Sequence, residues 1–127
     1  MTDDAMTFAK ALVANTDKAW FDHFRPEDRE TLVDEVNFWR PLAQQHFHAI
    51  APGEPFFLRL KQPFYAIAGF GFFATQSALP IRMAWEVFEW KNGEPDFARF
   101  VARITSYRNR PGASMSALTL PLTCIVL

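Results

Sequence analysis

The residues best suited to chemistry lie together at positions 34–41, which read Asp-Glu-Val-Asn-Phe-Trp-Arg-Pro. A rigid indole such as that of Trp39 can stack on a flat ring, and the amide of Asn37 can both donate to and accept from the edge of that ring. The guanidinium of Arg40 can bind a nearby anion. Together they predict a pocket for a flat, polar-edged ligand. The alternative is that Phe38 and Trp39 are ordinary core residues.

The spacing in this segment predicts how its side chains point. Pro41 biases the residue before it toward an extended backbone. In an extended segment, residues two apart emerge on the same face, so Asn37 and Trp39 are expected to share a face while Phe38 turns the other way into the core.

Other kinds of chemistry find little support in the sequence. His46 and His48 alternate on a predicted strand, but no further His or Cys lies at a metal-ligand spacing, so a structural or surface role is expected for them. Cys124 has no base beside it in sequence, and no Gly-x-Ser-x-Gly elbow or phosphate-binding glycine loop occurs. We therefore expect a binding domain with no catalytic residues, no metal and no cofactor.

Length and composition predict one globular domain over residues 1–127. Half of the 127 residues are apolar and 16% are aromatic, which is too hydrophobic for a disordered chain. No apolar run reaches the roughly 18 residues that a membrane span needs, and the first ten residues lack the pattern of a signal peptide. One cysteine excludes a disulfide within the chain, and a cytoplasmic protein is expected.

The charge is distributed unevenly along the chain. Residues 1–58 hold five Lys or Arg against ten acids, a balance of −5, and residues 59–127 hold eight against four, a balance of +4. The net charge of −1 argues against a generic nucleic-acid binder. The asymmetry nevertheless allows a local site for an anion.

Periodicity predicts the elements that must position these residues. We expect strands at 11–14, 44–50, 56–61, 65–74 and 117–127, with turn or capping residues at 15–17. We expect helices at 17–24 and 27–33, one from Ile81 to Phe88 that closes at Asn92-Gly93, and one that begins near Pro95 and continues through Ile104. The order predicts an α+β domain with a curved sheet or small barrel.

Three details of this sequence bear on the site. The strands 56–61 and 65–74 are separated by a short Pro-containing loop, so they are expected to be antiparallel neighbours. Gly69 and Gly71 lie on one face of the second strand, which indicates a tight barrel corner or a surface on which a ligand rests. Arg99 and Arg103 are four residues apart on a predicted helix, where a solvated outer face is expected.

Three segments, read together, resemble a known family. They are the stretch 34–41, the stretch Ala51-Pro52-Gly53-Glu54-Pro55-Phe56-Phe57-Leu58-Arg59-Leu60, and the stretch 66–74 with Leu79-Pro80 and Ala84-Trp85-Glu86-Val87-Phe88 behind it. They resemble the N-terminal domain of a bacterial family of inferred HNH-type, modification-dependent restriction endonucleases. That domain is similar to the EVE and YTH members of the PUA superfamily.

The resemblance covers about 12–127 and implies a PUA/EVE-like fold, a mixed β pseudo-barrel flanked by short helices. It also implies the capture of a modified base, flipped out of the duplex, in an aromatic pocket. The nuclease domain that follows in the family carries a His-Asn-His site, whereas no histidine follows His48 here. The resemblance therefore implies recognition without cleavage.

The predicted partner is DNA that contains a modified base, with RNA left open. Trp39 would stack on the base, Asn37 would bond to its edge, and Asn15, Thr16 and Trp20 would form the opposite wall. Phosphates would be met by four cationic residues, Arg40, Arg59, Lys61 and Arg82. The alternative is a small-molecule or protein-interaction domain that keeps the pocket. A basic rim would favour nucleic acid, and an acidic rim the alternative.

Overall fold

The computed structural model describes residues 10–25, 33–41, 50–108 and 121–127. The strands are β1 (Leu12–Thr16), β2 (Asn37–Arg40), β3 (Pro55–Leu60), β4 (Ile67–Phe72), β5 (Thr75–Leu79) and β6 (Leu122–Val126). The helices are α1 (Lys18–Asp22), α2 (Ile81–Phe88) and α3 (Phe97–Arg108), and a 3₁₀ turn (Glu89–Asn92) follows α2.

The six strands form two three-stranded sheets. In the first sheet, β3 lies between β1, which is parallel to it, and β4, which is antiparallel to it. In the second sheet, β6 lies between β2 and β5, and both pairs are antiparallel. The predicted antiparallel pairing of 56–61 with 65–74 is confirmed. The observed strands have slightly different bounds, Pro55–Leu60 for β3 and Ile67–Phe72 for β4.

The α+β class is confirmed, but the single barrel is wrong for the described residues, because their strands belong to two separate sheets. The chain changes sheet just after β4. Phe73 N–H donates to the carbonyl of Glu54 beside the first sheet, and Ala74 N–H donates to the carbonyl of Val126 in the second. A strand expected to run on to residue 74 is thus divided between two sheets.

Some element boundaries differ from the sequence expectation for identifiable reasons. Asn15 and Thr16, expected in a turn, extend β1 because they pair in parallel with the end of β3. β5 was not predicted, because its sequence, Thr-Gln-Ser-Ala-Leu, lacks apolar alternation. The helix expected at 17–24 narrows to α1. The predicted helix at 27–33 and strand at 44–50, which holds His46 and His48, lie almost wholly outside the described residues.

The helices α2 and α3 follow their predicted apolar spacing. Ile81, Ala84 and Phe88 are buried on α2, and Phe100 and Ile104 are buried on α3. The 3₁₀ turn ends at Gly93, whose φ is 91°, in the left-handed region that favours glycine. Among the helices of the described ranges, none has the length and apolar character needed to cross a membrane.

Two apolar clusters order the molecule into layers. One joins α2 and α3 to the second sheet through Trp39, Leu122, Cys124 and Val126. The other lies between the two sheets and includes Phe38, Phe56, Leu58 and Ile125. The second sheet is therefore covered on both faces, by helices on one side and by the first sheet on the other.

Candidate functional site

A cavity of about 440 Å³ opens where the end of β1, the start of α1, β2 and α3 meet. We call it the first cavity. Six of the nine residues predicted to bind a ligand or phosphate line it: Asn15, Thr16, Trp20, Trp39, Arg40 and Lys61. These six residues belong to the 47-residue stretch 15–61, and the structure brings the two ends of that stretch together at one site.

Trp20 and Trp39 form the inner wall of the first cavity and are only 6% and 9% exposed. Both indole N–H groups donate to the same acceptor, the backbone carbonyl of Asn92, at 3.0 and 2.8 Å. Trp39 also packs edge to face on Phe100, with ring centroids 5.5 Å apart. The polar edge of each indole is therefore held inside the protein, and carbon edges border the cavity.

Asn92 is completely buried and connects several elements. Its Nδ2 donates to the carbonyls of Ala84 and Glu89, and its Oδ1 accepts from Nδ2 of Asn37 at 2.8 Å. Gly93 follows it, and a Cβ there would meet a ring carbon of Trp20 at 2.1 Å. The pair Asn92-Gly93 was predicted only as the end of a helix, but it also positions both tryptophans of the wall.

Asn37 does not line the first cavity, in contrast to the expectation that it lies in one pocket with Trp39. Its side chain shares a face with Trp39, as predicted, but that face points toward Asn92 and the helices, where Asn37 is 0% exposed. Phe38 turns the other way, as predicted, and packs on Trp20 and Phe56 with centroids 5.4 and 5.0 Å apart. The edge of a ligand in this cavity must be met by other side chains.

The polar groups that replace Asn37 come from β1 and α1. Asn15 is exposed, whereas Thr16 is buried and its hydroxyl donates to the carbonyl of Ala14 at 2.9 Å. Asp17, just before α1, is the only carboxylate among the described residues that line the cavity. The exposed amide of Asn15 and the half-buried carboxylate of Asp17 carry oxygens that can accept hydrogen bonds from a ligand.

The rim of the first cavity is predominantly basic. Arg40, Lys61 and Arg103 line it together with the single carboxylate of Asp17. Lys61 Nζ lies 2.6 Å from Asp17 Oδ1, and Arg103 Nη1 lies 3.9 Å from Asp17 Oδ2. Arg103 Nε also donates to the buried carboxylate of Glu94. Two of the three cations thus lie within 4 Å of Asp17, and Arg40 adds a third positive charge to the lining. The excess positive charge favours an anionic ligand.

Arg103 and Tyr107 are site residues that the sequence reasoning missed. Arg103 was placed with Arg99 on a solvated outer face, but it is partly buried beside the cavity. Tyr107 packs on Trp39 with centroids 6.0 Å apart, and Lys61 Nζ lies 5.4 Å from its ring centroid. The signal was their spacing of four residues, which places both on one face of α3.

Arg59 and Arg82, predicted to meet phosphates, lie outside the first cavity. Arg59 is exposed on the first sheet, 5.4 Å above the ring of Tyr65. Arg82 is exposed on α2, 4.6 Å above the ring of Phe97. Each cation therefore stacks on an aromatic ring on its own surface, apart from the other predicted residues.

A second cavity, of about 450 Å³, differs in chemistry from the first. It lies at the edge of β4 among Phe21, Phe24, Leu58 and Gly71, with Asp34 and Glu35 also in its lining. Lys91 Nζ lies 3.0 Å from Asp34 Oδ1, and this hydrogen bond holds the pKa of Asp34 below its usual value. Among the residues that the structure describes, no cation lines this cavity. It is therefore apolar and acidic where the first is aromatic and basic.

Metal ligands do not cluster in the parts of the chain that the structure describes: no group of three or more His, Cys, Asp or Glu residues could hold an ion there. Cys124 is buried, which raises the pKa of its thiol, while a contact with Asn37 partly offsets that rise. A protonated, enclosed thiol is a poor nucleophile. Compared with protein-family models, curated proteins and solved structures, the chain matches none.

Proposed function

We propose that the first cavity captures a modified base flipped out of duplex DNA. The observation that carries this proposal is the combination, in one opening, of two tryptophans, a tyrosine and three cations. Enzymes and readers that act on single bases hold the flipped ring against aromatic side chains and bond to its polar edge. Cations around the opening then bind the flanking phosphates.

The dimensions support a ligand of this kind. A volume of about 440 Å³ lies within the range of about 300–1,000 Å³ that is typical of small-ligand pockets. Asp17 and Asn15 stand at one end, where they can accept from an exocyclic amino group, as carboxylates do from cytosine N4. Arg40 and Lys61 at the rim are suited to phosphates on either side of the base.

The proposal includes the fold relationship and the absence of cleavage. Two small sheets with flanking helices are compatible with a PUA/EVE-like domain, and the mixed strand directions of the first sheet fit that description. We expect the purified chain to bind without cutting DNA in the presence of Mg²⁺, Mn²⁺ or Zn²⁺. Cleavage that co-purifies with the chain and disappears on mutation of its own residues would contradict this.

One observation favours a second candidate, a small-molecule pocket with no nucleic-acid partner. Asp17 and Glu94 already neutralise part of the charge on Lys61 and Arg103. A small ligand with an amino group could use Asp17 without needing the outer cations. The two candidates differ in salt dependence, because phosphate contacts release counterions and make binding weaken steeply as salt rises.

The test is binding of the purified chain to duplexes that differ in one modified cytosine or adenine, measured by fluorescence anisotropy at two salt concentrations. We expect tighter binding to at least one modified duplex than to its unmodified twin. Asn15→Ala should reduce that preference without lowering the melting temperature, because Asn15 is exposed. Equal binding of all modified and unmodified duplexes would overturn the proposal.

Trp39 requires a milder variant than alanine, because it is as buried as Phe38. Trp39→Phe keeps an aromatic ring but removes the N–H that Asn92 accepts. We expect it to weaken binding to the preferred duplex, because the ring at the cavity becomes smaller and loses its hydrogen bond to Asn92. The loss should be smaller than the roughly 1–3 kcal/mol that alanine substitution of a stacking ring costs. Phe38→Ala should lower stability, but Phe38 also lines the cavity, so it is not a neutral control for binding. Phe56→Ala is the control, because Phe56 is 0% exposed and does not line the cavity; it should lower stability but not the preference for the modified base per folded molecule.

A further inference from the structure

The outer face of the first sheet is the most exposed apolar surface in the described part of the molecule. Cross-strand partners share a face, so the rows Val13–Phe57–Phe70 and Asn15–Arg59–Ile67 lie side by side on this surface. Val13, Ile67 and Phe70 are 53%, 53% and 59% exposed, and Phe72, two residues beyond Phe70, is 49% exposed. We call these side chains the outer face.

The outer face is aromatic in a particular arrangement. Phe57 and Phe70 have ring centroids 5.8 Å apart, and Phe70 and Phe72 are 5.6 Å apart. Tyr65, 58% exposed, lies two residues before β4 and adjoins the outer face through Arg59, whose guanidinium is 5.4 Å from the centroid of its ring. Phe57 and Phe70 are tilted by 42°, and Phe70 and Phe72 are nearly perpendicular, at 88°. Flat groups can therefore stack on individual rings of this surface.

The charge on the outer face has one sign. Arg59 is its single charged side chain, and it forms no ion pair with any residue that the structure describes. Phe70 and Phe72 also border the second cavity, which Asp34 and Glu35 line as well. Lys91 Nζ lies 3.0 and 3.9 Å from those two carboxylates and offsets part of their charge. A polyanion with flat bases matches a cationic, aromatic surface better than an apolar or basic partner does.

The outer face also leads into the first cavity. Val13 and Asn15 belong to both, since each lines the cavity and lies in a cross-strand row of the outer face. Lys61, which borders the cavity, directly follows the last residue of β3. A strand that passes over Phe70 and Phe57 would therefore arrive at the mouth of the cavity.

We propose that the outer face binds a single strand of nucleic acid by stacking its bases on Phe57, Phe70, Phe72 and Tyr65, with Arg59 at a phosphate. Nucleic acid as the partner rests on the proposed function, but none of the four rings proposed to stack the bases lines the first cavity. Stacking of this kind tolerates any base sequence. The outer face would then hold the unpaired nucleotides beside a base that occupies the first cavity.

The test uses an unmodified, fluorescently labelled 12-nucleotide DNA strand, so that no modified base is needed. We expect Phe70→Ala to weaken its binding about fivefold to a hundredfold, corresponding to about 1–3 kcal/mol for one stacked base. Phe70→Leu should weaken it nearly as much, because leucine retains apolar area but no ring. Val87→Ala is the control, since Val87 is 59% exposed on α2.

The outcomes separate this inference from the function of the cavity. Trp39→Phe should weaken binding to the modified duplex and leave binding to the unmodified single strand unchanged. Phe70→Leu should weaken binding to the single strand more than binding to the modified duplex. Failure of the wild-type chain to bind the single strand would overturn the inference while the preference for a modified duplex could still hold. A dimer in sedimentation that Phe70→Ala dissociates, without single-strand binding, would overturn it in favour of a second copy of the chain.

Discussion

The two sheets of this molecule differ in how their faces are covered. Every residue of β6, at the centre of the second sheet, is buried, because helices cover one face and the first sheet covers the other. In β4, at the edge of the first sheet, no residue is buried. A strand covered on both faces, such as β6, can only support the fold, whereas a strand with one open face, such as β4, also offers a surface to a partner.

Neighbouring residues of β3 provide the sharpest test of this contrast and the largest expected effect. Phe56 is 0% exposed between the sheets, while Phe57 lies on the outer face. Phe56→Ala should lower the free energy of unfolding by about 3–5 kcal/mol. Phe57→Ala should lower it by about 1 kcal/mol. Urea denaturation measures both, and equal losses would mean that the outer face is covered in solution.

Substitution of Gly93 and of Gly53 tests how rigidly the wall of the first cavity is positioned. Both have φ near +90°, but a Cβ at Gly93 overlaps Trp20, whereas one at Gly53 has no atom within 4 Å. Gly53→Ala should cost about 1–2 kcal/mol from backbone strain alone. Gly93→Ala should cost about 2–5 kcal/mol, since overpacking adds about 1–3 kcal/mol.

Thermal or urea unfolding gives those costs, and binding of the modified duplex gives a second readout. Gly93→Ala should reduce binding because Trp20 must move, while Gly53→Ala should leave binding unchanged. Similar losses of unfolding free energy for the two variants would show that Trp20 can move at little energetic cost. The wall of the cavity would then be easily deformed.

Substitution of Arg40 and of Arg82 compares the rim of the first cavity with a surface away from it. Arg40→Gln should reduce the slope of log K against log salt by about 0.9 for duplex DNA, the value expected for one phosphate contact. Arg82→Gln should leave the slope unchanged, because Arg82 lies on α2 over Phe97. A loss of slope in Arg82→Gln alone would place the phosphates on the helical side of the molecule.

The smallest expected effect concerns the buried thiol of the second sheet. Burial raises the pKa of Cys124, so the folded protein keeps this proton at pH values where the unfolded chain, with an ordinary thiol pKa of about 8.5, begins to lose it. The contribution to stability is therefore complete at neutral pH and declines as the pH rises above about 8.5. Between pH 7 and 9.5, wild type should lose slightly more stability than Cys124→Ala in urea titrations.

Local pattern was sufficient for much of the fold. The apolar spacing of α2 and α3, the antiparallel pairing of β3 with β4, and the opposed directions of Phe38 and Trp39 all follow from periods of 3.6 or 2. The pattern failed at β5, where polar residues form a strand because β6 supplies an open edge. It also failed at Asn15 and Thr16, where parallel pairing with β3 outweighs their preference for turns.

For the site, the sequence by itself determined which residue types were available, including the tryptophan, arginine and polar residues that line the first cavity. Only the tertiary structure decided that Asn37 lies behind the wall, that Arg103 and Tyr107 complete the site, and that one carbonyl, that of Asn92, accepts from both indoles. Those hydrogen bonds join residues 72 and 53 positions apart. Periodicity reports which face of one element is buried, but it carries no information on which distant element buries it.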